Sequence, residues 1–194
     1  MTRTKKVIDL LGVDEIEALI GACGRRSPTG VRNRALIAVL YGGALRVSEA
    51  LKLEPKDLDL AKRTGRVVGK GGKAREFGLA PMAVPHVELW LATRAKLGLS
   101  RGRGRRLFCT LAGGPVSDRY VRALLTRKAE VIGSPKRIHP HALRHSMAAE
   151  LDERGARVTD IAAQLGHGSV ATTQGYLRTL RGGERLDRIV SVMP

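Results

Sequence analysis

Polar residues that can handle a phosphate group are concentrated in one stretch of the chain, residues 138–176. The stretch holds four of the five histidines, and within it His141, Arg144 and His145 are spaced three and one residues apart. On a helix, residues three and four apart share one face. Pro140 suits the first helical position, where backbone N–H groups and the helix dipole attract anions. We therefore expect a cationic helix face that binds a phosphate.

Further candidates for phosphate chemistry are Arg46, Lys70, His167 and Tyr176. Each of them taken singly also fits an ordinary structural role. Together with His141 and Arg144 they match a phosphodiester transesterification, which needs a nucleophile, cations for the phosphate oxygens and an acid for the leaving oxygen. A tyrosine has an ordinary pKa of about 10, so we expect the neighbouring cations to ease formation of the phenolate. The chemistry requires no metal and no cofactor.

The charge balance points to a polyanionic partner. Lys and Arg number 35 against 18 Asp and Glu, which gives a formal net charge of +17. A basic surface releases condensed counterions when it neutralises phosphates, and the aromatic content of 3% argues against base stacking, so duplex DNA is the expected partner. The residues that we expect to contact DNA are Arg101, Arg103, Arg105, Arg106, Arg119 and Arg122.

Neither cysteine belongs to a recognisable metal or disulfide pattern. Cys23 and Cys109 are far apart in the chain, and we expect both to be core thiols in a reducing compartment. The first residues lack the apolar segment of a signal peptide, and the sequence has no run of about 18 apolar residues. These features predict a cytoplasmic, nucleoid-associated protein that does not contact membranes.

The hydrophobic periodicity predicts a mainly helical α+β domain with a small three-stranded antiparallel sheet. Short strands are expected at 57–60, 66–68 and 76–79, and the glycine-rich turn between the last two carries Lys70 and Lys73. Thr159 is the expected N-cap of one helix, and Gly182-Gly183 is expected to separate the last two. The helices are predicted at 13–23, 31–41, 46–53, 84–97, 117–132, 140–154, 159–165, 170–180 and 184–192.

Three other functions remain open on the residues alone. His141 and His145 have zinc-ligand spacing, but Ala142 stands where H-E-x-x-H requires glutamate. Residues 159–177 have the pattern of a helix-turn-helix, which predicts DNA binding without strand cleavage. A two-metal nuclease would need acidic clusters that are not apparent in the sequence.

Four ordered segments resemble motifs of the tyrosine recombinase, or phage integrase, family, and are most similar to its Xer-like branches. They span nearly the whole chain, and four motifs in order are far more specific than one. The segments are YGGALRVSEALKL, GKGGKAREFGLA, HPHALRHSMAAEL and LGHGSVATTQGYLR.

The resemblance implies a site-specific recombinase whose Tyr176 attacks the scissile phosphate and forms a 3′-phosphotyrosyl link. Arg46 and Arg144 would then clamp that phosphate. Lys70 would protonate the leaving 5′ hydroxyl, with Lys73 as the replacement if the hairpin register differs. A topoisomerase IB-like relaxing enzyme shares this chemistry and is the alternative within it.

The resemblance also assigns supporting roles. His141 would be an acid–base partner and His167 would form a hydrogen bond with the phosphate. Glu49 and His145 match family positions that we interpret as supporting the site. The 5′ hydroxyl of a second strand would then attack the phosphotyrosine, which conserves bond energy without ATP.

The resemblance implies the fold and assembly as well. Residues 1–194 would form a single catalytic domain of the tyrosine recombinase type, without the N-terminal core-binding domain that family members usually carry. The family implies a tetramer on DNA, with a monomer in isolation. Residues 182–194 would be a tail exchanged between subunits.

Overall fold

The computed structural model describes residues 9–69, 72, 74–99 and 104–191, with side chains described as far as residue 180. Helices dominate, and one small sheet interrupts them in the first half of the chain. The helices are α1 (Val13–Gly21), α2 (Pro28–Gly42), α3 (Val47–Ala50), α4 (Val84–Lys96), α5 (Asp118–Val131), α6 (Pro140–Glu153), α7 (Val158–Leu165) and α8 (Val170–Ser191). None of these helices is long and apolar enough to cross a lipid bilayer.

Helix α2 runs through the centre of the core. Its residues are buried on every side from Gly30 to Gly42, including the polar side chains of Arg32, Asn33 and Arg34, and it packs against α1, α4 and α6. Ser27 caps it by accepting a hydrogen bond from the Gly30 amide at 3.1 Å, so α2 begins three residues before the predicted start. The C-terminal end of α2, at Gly42, is followed by the turn that leads into α3.

The sheet is antiparallel with the order β1-β2-β3, formed by Leu58–Asp59, Thr64–Val68 and Ala74–Gly78. The predicted number and order of strands are confirmed, with shifted ends. In the β2–β3 hairpin Thr64 pairs with Gly78 and Val68 with Ala74. Lys70 and Lys73, which come between β2 and β3 in the chain, lie outside the described residues.

Two predicted features near the C-terminus are wrong. The N-cap of α7 is Arg157 rather than Thr159, because the helix starts early enough to pack Val158 against the core. The Arg157 guanidinium pairs with Asp160 at 2.8 Å. Helix α8 continues through Gly182-Gly183 instead of breaking there. A glycine costs a helix about 1 kcal/mol but, unlike proline, keeps its backbone N–H donor, so it weakens a helix without ending it.

Helix α3 is also shorter than predicted. It covers only Val47–Ala50, with Arg46 as its N-cap. The carbonyl of Leu53, which the prediction placed inside the helix, instead accepts a hydrogen bond from the Leu107 amide. A carbonyl at a helix end has no partner within the helix, so this contact satisfies the carbonyl and does not set where the helix stops.

Candidate active site

The buried side chain of Arg144 is the centre of the site. It is 4% exposed and lies in the second turn of α6, which begins at Pro140 as predicted. Its Nη1 donates to the Ala44 carbonyl at 2.6 Å and its Nη2 donates to the Leu165 carbonyl at 2.5 Å. Burial and the charge of Arg46 lower the pKa of Arg144 to about 10, so the side chain stays cationic at neutral pH.

The Ala44 carbonyl is presented by the C-terminal turn of α2. The Leu45 amide donates back to Leu40 and the Ala44 amide donates to Tyr41, which is the hydrogen-bond pattern of a Schellman motif. Ala44 occupies the left-handed position with φ of 47°, where glycine is usual. The turn ends α2 and leaves the Ala44 carbonyl free for Arg144.

The Leu165 carbonyl is presented by the same motif at the end of α7. The His167 amide donates to Ala162 and the Gly166 amide donates to Ala163, with Gly166 at φ of 63°. Arg144 therefore sits between the C-terminal ends of two helices, where a cation is favoured. The α7 turn also directs His167 into the site, where its Nε2 lies 3.4 Å from Arg144 Nη2.

Arg46 is the second cation and is more exposed than Arg144. Glu49 holds it by accepting from the Arg46 amide at 2.9 Å and from its Nη1 at 2.9 Å. The Arg46 side chain is 36% exposed to solvent, so it can reach a ligand. Burial alone would raise the pKa of the Glu49 carboxyl, but the Arg46 amide and the charges of Arg75 and Arg46 outweigh it and keep that pKa low.

Arg75 belongs to this cluster and was not predicted. Its Nη2 contacts Glu49 at 3.0 Å and its Nη1 donates to the Gln164 carbonyl at 2.7 Å. The Gln164 side chain in turn bonds both the amide and the carbonyl of Gly78 at 2.8 Å. Together these bonds tie β3 to α3 and α7. The alternation of β3 was the available signal, since it places Arg75 on the same face as the buried Phe77.

Tyr176 lies among the histidines. Its ring stacks on His145 with centroids 5.1 Å apart and meets His167 edge-on at 5.5 Å. Its buried hydroxyl has no hydrogen-bond partner among the described residues. Burial raises the pKa of Tyr176 to about 12, although Arg144 and Arg46 act to lower it. The two arginines thus act in the expected direction, but in this state the desolvation of the phenol outweighs them.

Most of the positive charge on the predicted cationic face of α6 comes from Arg144 rather than from the two histidines. Burial and the neighbouring histidines lower the pKa of His145 to about 4, so its ring is neutral at pH 7. Burial, followed by the charges of Arg144 and Arg122, also lowers the pKa of His141, which stays exposed with its ring 6.3 Å from His145. The helix is capped by His139, whose Nδ1 accepts from the Ala142 amide at 3.3 Å.

The structure brings together most of the predicted site. Residues from four separated parts of the chain surround one centre, and they are Arg46, Glu49, His141, Arg144, His145, His167 and Tyr176. A cavity of about 610 Å³ lined by Tyr41, Met147 and Ile161 has none of these residues in its wall. Within the described ranges, no group of three or more His, Cys, Asp or Glu side chains is placed to hold a metal ion.

The predicted DNA contacts are less uniform. Arg105 pairs with Glu54 at 2.5 Å, and Arg106 donates to the Leu51 carbonyl at 2.9 Å. Arg119 and Arg122 are exposed on the first turns of α5, and Arg122 pairs with Asp118 at 3.0 Å. Arg101 and Arg103 lie outside the described residues.

Comparison with known proteins assigns a family to this arrangement. Residues 10–181 match the model of the phage integrase family. The chain is 40% identical to tyrosine recombinase XerD of Corynebacterium glutamicum over 171 residues, which is 87% of this chain and 56% of that protein. It is 34% identical to XerC of Pelotomaculum thermopropionicum over 189 residues, 95% of this chain and 61% of that protein. The chain thus spans less than two thirds of the length of these relatives.

Solved structures agree with the predicted fold. XerA recombinase superposes with a TM-score of 0.77 at 28% identity, covering 94% of this chain and 66% of that one. XerH recombinase, in a post-cleavage complex with its palindromic difH substrate, gives 0.76 at 26% identity and covers 96% of this chain and 54% of that one. The α+β, mainly helical catalytic-domain fold is therefore confirmed.

Proposed function

Because the chain belongs to the phage integrase family, we propose that it is a tyrosine-type site-specific recombinase that cleaves and rejoins duplex DNA. The observation that carries this proposal is Tyr176, whose buried hydroxyl has no hydrogen-bond partner among the described residues and lies within the field of Arg144 and Arg46. A hydroxyl without a partner is free to meet an incoming phosphate.

In this proposal Arg144 and Arg46 clamp the scissile phosphate. A guanidinium has five N–H donors. Arg144 uses two donors on the Ala44 and Leu165 carbonyls, which leaves donors for the phosphate oxygens. Because its buried partners are carbonyls rather than carboxylates, the whole charge of Arg144 is available to the pentacoordinate transition state.

The chemistry is a pair of transesterifications. Tyr176 Oη forms a bond to phosphorus as the bond to the 5′ oxygen breaks, His141 accepts the phenol proton, and Lys70 gives a proton to the leaving oxygen. The 5′ hydroxyl of a second strand then attacks the phosphotyrosine and gives its proton to Lys70, while the bond to Tyr176 Oη breaks and Oη takes back the proton from His141. A phosphate between Arg144 and Arg46 adds negative charge beside the phenol, so the proton has to pass to His141 as the bond to phosphorus forms rather than before it.

Tyr176→Phe is expected to abolish covalent attachment to DNA. On a nicked suicide duplex, from which the cleaved fragment diffuses away, the wild-type chain should accumulate an SDS-stable protein–DNA adduct. Phenylalanine keeps the ring that stacks on His145 but has no attacking oxygen. Tyr41→Phe is the matched control, because burial also raises the pKa of Tyr41 to about 12, yet Tyr41 lines a separate cavity.

An adduct that survives Tyr176→Phe would overturn the assignment of the nucleophile. DNA binding by the wild-type chain with no adduct at all would instead favour a helix-turn-helix protein without cleavage activity. Relaxation of supercoils without strand exchange between two sites would favour a topoisomerase IB-like enzyme.

Lys70→Ala is expected to slow cleavage of ordinary DNA and to be rescued by a 5′-bridging phosphorothiolate. The sulfur leaving group departs as a thiolate and needs no proton, so the general acid becomes dispensable. The rate of adduct formation on the two substrates is the measurement. Rescue of Lys73→Ala in place of Lys70→Ala would assign the acid to Lys73.

We infer further that the chain acts on DNA as a homotetramer, in the cytoplasm at the nucleoid. Residues 1–194 would act as one catalytic domain. In this arrangement residues 182–194, which follow the described side chains of α8, would contact a neighbouring subunit. Crosslinking on a duplex carrying two target sites tests the tetramer and the exchange of the tail together.

A further inference from the structure

Thr173 is a buried polar residue that the proposed chemistry does not yet use. It lies on α8, three residues before Tyr176, and is 0% exposed. Its Oγ1 lies 2.9 Å from His167 Nδ1, and within the described part of the chain the Thr173 hydroxyl forms its hydrogen bond with this nitrogen. The adjacent Thr172 is exposed on the same helix. A fully buried hydroxyl on the far side of a site histidine controls which ring nitrogen carries the proton.

The surroundings of His167 favour a neutral ring. Burial, with the charges of Arg144, Arg46 and Arg75, lowers the pKa of His167, so at neutral pH the ring carries one N–H. That proton is on Nδ1 if Thr173 accepts and on Nε2 if Thr173 donates. Only the second arrangement gives Nε2 a proton to offer to a phosphate oxygen.

The contact on the other side of the ring is long. Arg144 Nη2 lies 3.4 Å from Nε2, whereas the same Nη2 lies 2.5 Å from the Leu165 carbonyl oxygen. A guanidinium has only donors, so this contact is a weak hydrogen bond when Nε2 is unprotonated and no hydrogen bond when Nε2 is protonated. Donation by Thr173 is favoured because its hydroxyl is fully buried, and a hydroxyl that only accepted from Nδ1 would leave its own proton without a hydrogen bond to the described residues. With Nε2 protonated, its N–H and an N–H of Arg144 form a site for one anionic oxygen.

We propose that Thr173 is a positioning residue that donates its hydroxyl proton to His167 Nδ1 and so holds the ring in the Nε2–H tautomer, ready to bind a phosphate oxygen beside Arg144. This inference rests on the proposed function for its consequence, because the phosphate is the ligand of that reaction. The tautomer itself is a property of the free protein.

The tautomer is tested directly by ¹⁵N NMR of the histidine rings in the whole chain, with His167 assigned by its loss in His167→Ala. The wild type, Thr173→Ser and Thr172→Val should all show the Nε2–H form. Thr173→Val has nearly the same shape but no hydroxyl, and it should lose that form. A wild-type ring protonated on Nδ1, or a Thr173→Val ring that keeps the Nε2–H form, overturns the proposal.

The consequence is tested by the rate of adduct formation on the suicide duplex. Thr173→Val should slow cleavage by about 10- to 100-fold, as the loss of an orienting partner does in other sites. Thr173→Ser should restore the rate and Thr172→Val should match the wild type. In a His167→Ala background Thr173→Val should have no further effect, because the interaction is already lost.

An equal slowing in both backgrounds would mean that Thr173 acts through packing rather than through His167, and would overturn the proposal. A wild-type chain that forms no adduct would contradict the proposed function instead. The NMR result would still decide the role of Thr173 in that case.

Discussion

Several buried arginines of this protein are paired with backbone carbonyls rather than carboxylates. Arg94 donates to the carbonyls of Leu99, Gly104, Arg106 and Leu107, and Arg34 donates to that of Cys23. Arg144 follows the same pattern in the site. Carbonyl dipoles satisfy the N–H groups and leave the net charge in place. At Arg46 a carboxylate shares the charge, so the two arginines are not equivalent ligands.

The neutral His145 leads to a prediction about stability and pH. Its folded pKa of about 4 lies below the ordinary value of 6.5, so between these values the unfolded chain binds a proton that the folded chain does not. The contribution of His145 to the free energy of unfolding should therefore be complete above pH 6.5 and decrease as the pH drops toward 4. One such group contributes a slope of up to about 1.4 kcal/mol per pH unit.

His145→Phe should flatten this slope in urea titrations between pH 5 and 6.5 while it keeps the ring that stacks on Tyr176. His141 and His167, whose pKa values are also lowered, retain part of the slope. The control is Ile161→Val in the core, which should lower stability about equally at every pH. An unchanged slope in His145→Phe would show that His145 is protonated in the folded state.

At the scale of the elements, the ends of two helices hold Arg144 in place. The C-terminal turns of α2 and α7 have the same hydrogen-bond pattern, and each presents one carbonyl to Arg144. Arg75 and Gln164 then join the second of these turns to β3. A shift of the α7 end would therefore move both Arg144 and β3, the strand that follows Lys70 and Lys73 in the chain.

Ala44→Gly is expected to change stability little although Ala44 lies in the core. Ala44 is held at φ of 47°, where an L side chain costs about 1–2 kcal/mol and glycine does not. The greater flexibility of glycine in the unfolded chain and the loss of a buried methyl each oppose this gain by about 1 kcal/mol. Urea denaturation measures the net effect. Ala38→Gly in α2 is the control, because it removes an equally buried methyl at an ordinary helical position and should cost about 2 kcal/mol. An equal loss of stability in both variants would contradict the strained turn.

At the scale of the molecule, the net charge of +17 should make DNA affinity steeply dependent on salt. The salt dependence should depend on where each charge lies, because only cations that contact phosphates release counterions. Arg122 and Arg154 are well suited to show this, since each forms an exposed i,i+4 ion pair, with Asp118 and Glu150 respectively. Arg122 is near enough to His141 to lower its pKa, whereas Arg154 lies at the other end of α6, about 20 Å away.

Arg122→Ala should therefore reduce the slope of log affinity against log salt by about 0.9, the value for one phosphate contact, and weaken binding to all duplexes alike. Arg154→Ala should leave the slope unchanged although it removes the same charge. Fluorescence anisotropy at several salt concentrations provides the measurement. Equal slopes for the two variants would mean that the start of α5 does not face DNA.

The sequence by itself determined the parts of this protein whose information is local. Helical spacing placed Arg144 and His145 on one helix and Arg46 one turn before Glu49, and alternation with a glycine-rich turn predicted the hairpin. Four ordered motifs identified the family, which the comparisons confirm. Local rules were wrong at two ends of elements: α7 begins before Thr159, and α8 continues through Gly182.

Only the tertiary structure decided how these parts form a site. Arg144 bonds a carbonyl 100 residues away in the chain, and Arg75 bonds one 89 residues away, so no spacing rule could pair them. The high pKa of Tyr176 and the contact of Thr173 with His167 depend on burial by several elements at once. Residue type defines what a group can do, but solvent exclusion and the orientation of partners decide its protonation, and both arise only when distant segments pack together.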